Sequence, residues 1–169
     1  MKDTAYTSLA LPAHTDNTYF SDPARLQMFH LLSHTDGEGG ASLLSDGFEA
    51  ARILHRENEK AYNILRDTPI QWHASGNEGI TITPYKRFPV INRLNLKTSE
   101  YQIRWNNDDR GVLDLGLRKG GLKDQQEVSK QWYRAAREWN SILKLKSMQY
   151  WAQLEPGRPL SKIRLLTAK

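Results

Sequence analysis

The sequence predicts a β-rich α+β domain, a partial double-stranded β-helix (jelly roll) with inserted and flanking helices. Three observations carry this reading. Short β-branched and aromatic stretches recur between Gly, Asn and Pro breakers. A segment beginning at Asp46 switches to helical spacing, and a second helical pattern stands near the end of the chain.

Taken in order, "RLQMFHLLS", residues 25 to 33, is apolar enough for a strand buried on both faces, and "ASLLSD" is placed to pair back onto it. The joint between them, "HTDGEGG", contains Asp36-Gly37 and Gly39-Gly40, residues that tolerate positive φ, so a hairpin turn is expected there. His34 and Asp36 are then turn residues. "DGFEAARILHRENEKAYNILRDTP" predicts one broken or two short helices ending at Thr68-Pro69. "IQWHASG", "GITITPY" and "EYQIRW" follow as short antiparallel strands. Asp124 and Glu127 form a D-x-x-E start signal ahead of Val128, Trp132, Ala135, Trp139 and Ile142, which recur at steps of three and four. That spacing defines an amphipathic helix whose two tryptophans are core anchors.

The composition, 38% hydrophobic and 25% charged over 169 residues, is that of one globular domain. Without cysteine, disulfides and thiolate metal sites are excluded, and no apolar run is long enough to span a membrane. The formal charge of +5 invites a nucleic-acid reading, but four of those charges lie in the acid-free "PGRPLSKIRLLTAK" at the end. Basic and aromatic residues do not alternate as they would along a single strand, so neither nucleic acid nor membrane is the expected partner. "MKDTAYTSLALPAHTD" has no apolar core of signal-peptide type and no targeting sequence is visible.

His-Thr-Asp occurs twice, at residues 14 to 16 and 34 to 36. In an extended segment residues i and i+2 project to one side, so His14 and Asp16 can face one ion while Thr15 turns away. An imidazole and a carboxylate so spaced are two thirds of the facial triad of non-haem Fe(II) oxygenases. Taken alone, the spacing equally suits a surface pair bonding locally.

The surroundings add to this. "DTAYTSLALPAHTDNTYF", then "GGASLLSDGF", then "IRWNNDDRG" resembles the γ-butyrobetaine/trimethyllysine hydroxylase family, within the taurine-dioxygenase-like 2-oxoglutarate oxygenases, and is most similar to its trimethyllysine branch. The resemblance runs from residue 3 to about 158, dividing the chain into a partial oxygenase domain, 1–158, and a divergent basic tail, 159–169. It implies Fe(II), 2-oxoglutarate as co-substrate and ascorbate as accompanying reductant. It also implies hydroxylation of N6-trimethyllysine at C3 in carnitine biosynthesis, with γ-butyrobetaine as the alternative substrate. A cytoplasmic or mitochondrial location and a homo-oligomer are compatible with it.

Carried over by position, His14 and Asp16 are two iron ligands, and Ser42, after Gly39-Gly40-Ala41, donates to the distal carboxylate of 2-oxoglutarate. Tyr6 is a candidate wall for the trimethylammonium group, which has no hydrogen to donate and is held by π faces. Asp3 suits the α-ammonium of an amino-acid substrate, and one of Asn106 and Asn107 bonds its amino-acid head. The family's third ligand is a His beyond a Pro-Gly-Arg segment. Here Pro156-Gly157-Arg158 is followed by "PLSKIRLLTAK", with no His. The expectation is therefore a chain truncated at both ends and impaired in activity, or an inactive fragment acting as an interaction module. His30, His34, His55 and His73 are each read as surface or locally satisfied residues, not as substitute ligands.

Overall fold

A computed structural model describes residues 10–24, 26–34, 40–74, 79, 81–94, 101–113, 121–162 and 165–168. Asp46 starts the first helix, α1 (Gly47–Glu57), by accepting the amide N–H groups of Phe48 at 2.8 Å and Glu49 at 3.1 Å. Asn58 then ends one helix and begins the next. Its own N–H donates to the Leu54 carbonyl, while its side-chain oxygen accepts from Ala61 to cap α2 (Glu59–Asp67). The helical segment is thus two short helices, and it stops at Thr68 ahead of Pro69.

The late helix, α3 (Gly121–Leu143), begins three residues before Asp124, which falls in its first turn. Trp132, Ala135, Trp139 and Ile142 are buried on its inner stripe, the tryptophans at 1% and 0% exposure. All three helices pack on one another, and α1 and α2 also cover the hairpin formed by β3 (Ile91–Arg93) and β4 (Tyr101–Ile103). Leu54, Leu65, Val90, Ile91, Trp105 and Trp139 are central to this core. Asn58 adds a polar tie, its side-chain N–H donating to Glu138 of α3 at 2.7 Å.

The remaining described strands are short. β1 (Gln27–Phe29) pairs antiparallel with β6 (Leu160–Lys162), and β2 (Ser42–Asp46) is the centre of an antiparallel sheet in the order β5 (Tyr150–Ala152), β2, β7 (Leu165–Ala168). Helix contributes more residues than strand, and the helices carry the core. Among the described residues the arrangement is mixed α and β with small sheets.

Three local expectations are corrected. β1 and β2 do not form a hairpin: both edges of β2 are taken by strands from the far end of the sequence, and β1 pairs elsewhere. Residues 35–39 of the expected turn lie outside the described residues. Nor is β1 buried on both faces, since Met28 is 63% exposed. Among the described residues of the strands expected between 70 and 105, only those of "EYQIRW" hold a ladder. "IQWHASG" makes isolated bridges from Ile70 to Phe88 and Trp72 to Arg110, and "GITITPY" reaches it through one bond, Ala74 N–H to the Ile82 carbonyl. Within the basic tail, residues 160–162 and 165–168 are strands in two sheets.

Candidate metal centre

His14 and Asp16 face each other across 3.3 Å, from Nε2 to Oδ1, with side chains 17% and 34% exposed. The other ring nitrogen, Nδ1, lies 2.8 Å from the Pro12 carbonyl. A carbonyl only accepts, so Nδ1 carries the proton, and in the neutral ring the lone pair sits on Nε2. That lone pair then faces a carboxylate oxygen. Two acceptors at this distance require a cation between them, either a proton on the ring or a metal ion. Backbone anchorage of the distal nitrogen is also how metal-binding imidazoles are held in the ligating tautomer. The donor pair therefore fits a divalent cation such as Fe(II).

Thr15, between the two, is turned to a different partner. Its N–H donates to the Trp105 carbonyl at 2.7 Å, and its hydroxyl accepts from the Trp105 N–H at 2.9 Å. The segment that follows β4 thus lies against the His-Thr-Asp segment, and it brings Asn106 and Asn107 to the same place. Asn106 is half-buried and its side-chain oxygen accepts from the Asp108 N–H at 3.0 Å; Asn107 is exposed. Its local turn bond leaves Asn106 with its amide N–H groups as donors.

Just past Asp16 the chain reverses. Asn17 takes a left-handed φ of 59°, and its carbonyl accepts from the Phe20 N–H at 3.0 Å. Asparagine tolerates this conformation where most residues do not. Buried Thr18 donates its hydroxyl to Asp109 at 2.6 Å. Buried Arg104 holds the carbonyls of Thr18 at 2.6 Å, Phe20 at 2.7 Å and Ser21 at 2.9 Å. Burial pushes the Asp109 carboxyl above its ordinary value; the Thr18 hydrogen bond and the nearby charges of His73 and His14 work the other way. Burial also lowers the Arg104 guanidinium to about 10.

Ser42, the residue matched to the co-substrate carboxylate, is half-buried at the start of β2, opposite Ala152. Gly40, two residues before it, has φ +75°. A built Cβ there would meet the His34 Nε2 only at an ordinary 3.7 Å, so the backbone conformation and not space calls for glycine. Asp3, Tyr6 and Gly39 lie outside the described residues. Among the described residues no group of three His, Cys, Asp or Glu is placed to hold a metal. His55 lies on the surface of α1 against the Tyr62 ring at 4.6 Å and 3.8 Å from Glu59. His30 and His34 are exposed, and His73 sits beside Asp109, with its N–H on the Asp109 carbonyl at 2.9 Å. An open groove of about 530 Å³, lined by Glu59, Lys60, Asn63, Asp67, Thr68 and Gln131 among others, contains none of the candidate residues.

Sequence reasoning missed Thr18, Arg104, Trp105 and Asp109. The quoted "IRWNNDDRG" contains three of them, and an Arg beside a Trp at a strand end was the available signal.

The same segments align with known proteins. Trimethyllysine dioxygenase of Neurospora crassa is 48% identical over 95% of this chain and 39% of its own length. The mitochondrial trimethyllysine dioxygenase of Gallus gallus is 36% identical over 94% of this chain and 36% of its own length. The chain thus spans well under half of the curated relatives it matches. Its fold is shared with asparagine oxygenase, solved with Fe(II), 2S,3S-3-hydroxyasparagine and succinate, at a TM-score of 0.64 and 16% identity over 95% of this chain and 43% of that one. Among the described residues no helix is long and apolar enough to cross a membrane. The family model for taurine catabolism dioxygenases matches residues 1–159, a span that holds His14, Asp16 and the strand end that grips Thr15 between them, and the chain accordingly belongs to the taurine catabolism dioxygenase TauD, TfdA family.

Proposed function

We propose that this chain is part of an Fe(II)- and 2-oxoglutarate-dependent dioxygenase that hydroxylates N6-trimethyllysine at C3. The observation that carries the reading is the His14–Asp16 pair, with Nε2 and Oδ1 3.3 Å apart and Nδ1 anchored on the Pro12 carbonyl. The relatives' names as trimethyllysine dioxygenases support the substrate, and the family supports the co-substrate and a partial jelly-roll architecture. Residues 1–158 are the oxygenase portion in this reading, and the mitochondrial relative makes the mitochondrion the location to test first.

Bound Fe(II) would supply oxygen activation coupled to decarboxylation of 2-oxoglutarate. His14 and Asp16 would hold it through Nε2 and the carboxylate. Ser42 donates its hydroxyl to the distal carboxylate of 2-oxoglutarate, and Asn106 or Asn107 bonds the amino-acid head of the substrate. Tyr6 is assigned to the trimethylammonium group and Asp3 to the α-ammonium by their place in the sequence alone. Asn106 is the better placed of the two, since its N–H groups follow directly on the residue that holds Thr15.

Anaerobic titration with Fe(II) and 2-oxoglutarate tests this, read by the visible band of the chelated complex, with His14→Ala as control. A band present in wild type and lost in the variant is the expected result. No band from the folded chain would sink the metal reading and favour an inactive interaction module.

A further inference from the structure

We propose that Arg104 is a positioning residue for the His14–Asp16 pair: its guanidinium fixes the turn from Thr18 to Ser21 and so sets the direction in which the Asp16 carboxylate faces His14 Nε2. The inference rests on the reading of His14 and Asp16 as the metal pair, and it concerns a residue that touches neither of them.

Arg104 is only 1% exposed, yet none of its described hydrogen bonds goes to a carboxylate. Nη1 donates to the Thr18 and Phe20 carbonyls, Nη2 to the Ser21 carbonyl and Nε to Gln102 Oε1 at 3.2 Å. The group lies 4.1 Å over the Phe88 ring. A buried cation hydrogen-bonded to neutral acceptors is an expensive way to tie down a loop, because its desolvation is offset only in part, by the charge of Asp22. What the fork supplies is geometry: a rigid plane that collects three carbonyls of one turn.

That turn begins two residues after Asp16. Arg104 is itself fixed, its N–H donating to the Val90 carbonyl at 2.9 Å in continuation of the β3–β4 ladder. The next residue, Trp105, takes Thr15 by both backbone groups. Two consecutive residues of one strand end thus hold the chain on both sides of Asp16, Trp105 before it and Arg104 after it. Between those holds lies the left-handed Asn17, a reversal that relaxes if the turn is released. Losing the Arg104 fork would leave the Thr15 hold intact and free the other flank, so the carboxylate would sample directions away from His14.

The test compares wild type with Arg104→Lys and Arg104→Gln, using Zn(II) alone as a diamagnetic probe, together with ¹⁵N ring shifts of His14 in the metal-free protein. Helix content by circular dichroism establishes that each variant is folded. The expected result is at least tenfold weaker Zn(II) binding in the folded Lys variant and a displaced resonance of His14 Nε2, the ring nitrogen that faces Asp16. A structural tie alone would lower the melting temperature and move neither readout. Wild type offers a second measurement in case neither variant folds. If the hold positions the pair, Zn(II) must reciprocally stabilise the hold, slowing hydrogen exchange at the Phe20 amide while leaving α1 and α2 unchanged. A folded variant with unchanged Zn(II) affinity and an unmoved His14 Nε2 resonance, or wild-type exchange at Phe20 indifferent to saturating Zn(II), overturns the proposal. If wild type binds no Zn(II), the metal reading fails, and the positioning role is decided by the His14 Nε2 resonance in the variants against wild type.

Discussion

Thr15 grips Trp105 twice, giving its N–H to the Trp105 carbonyl at 2.7 Å and taking the Trp105 N–H on its hydroxyl at 2.9 Å. Trp105 is 4% exposed and meets the Trp139 ring edge-on at 6.1 Å, so the middle residue of the His-Thr-Asp segment is tied to the core through α3. A valine at position 15 keeps the shape and removes the acceptor. Thr15→Val should therefore leave a buried N–H unpaired and cost about 1–3 kcal/mol. Thr15→Ser keeps the acceptor and should recover most of that loss in urea unfolding. Loss of stability in the Ser variant with the Val variant unaffected would mean that methyl packing, not the hydrogen bond, is what Thr15 supplies.

Backbone conformation makes a separate prediction at Asn17. With φ at 59°, a β-branched residue there meets the steric penalty of the left-handed region. Asn17→Val should cost about 1–2 kcal/mol, whereas Asn17→Gly should be close to neutral. The comparison is made by denaturant midpoints at constant slope. Similar midpoints for the two variants would show that the turn can adopt another conformation without loss.

What could be read from the sequence was what is local. The helices were legible because Asp46, Asn58 and Thr68 act on the chain next to them, and because Trp132 and Trp139 share a stripe fixed by helical geometry. His14 and Asp16 were legible for the same reason, their shared side following from a spacing of two. The pairing of β2 was not, because its partners β5 and β7 come from more than a hundred residues away. Arg104 and Asp109 were hidden by the same separation. Their roles depend on Thr18, Phe20 and Ser21, residues that nothing in "IRWNNDDRG" identifies.

Asn58 serves three neighbours at once: Leu54 through its N–H, Ala61 through its side-chain oxygen and Glu138 through its side-chain nitrogen. Asn58→Ala removes an N-cap and a bond to a carboxylate, for an expected cost of about 1–3 kcal/mol. Asn58→Asp restores the cap but sets a carboxylate against Glu138. It should be nearly as destabilised at neutral pH and regain stability as the pH falls and the pair is discharged. An Asp variant as stable as wild type at pH 7 would show that Glu138 turns away to water.

Asp109 gives the fold a pH dependence whose sign follows from burial. Its carboxyl is 7% exposed, and burial raises its pKa above 3.8, opposed by the Thr18 hydroxyl and by His73 and His14 and reinforced by Asp108. A carboxyl with a raised folded pKa binds its proton more tightly in the folded than in the unfolded chain. Its contribution is therefore most favourable below the unfolded value and is lost as the pH rises through the folded one. Asp109→Asn removes the titration but keeps an oxygen to accept from Thr18. Urea unfolding at a series of pH values should then show wild type losing stability relative to the variant as the pH rises from about 4, with the difference constant once the carboxyl is fully ionised. Parallel curves across the whole range would mean that Thr18 and the two histidines cancel the cost of burial, and that Asp109 is held as a carboxylate at no expense to the fold.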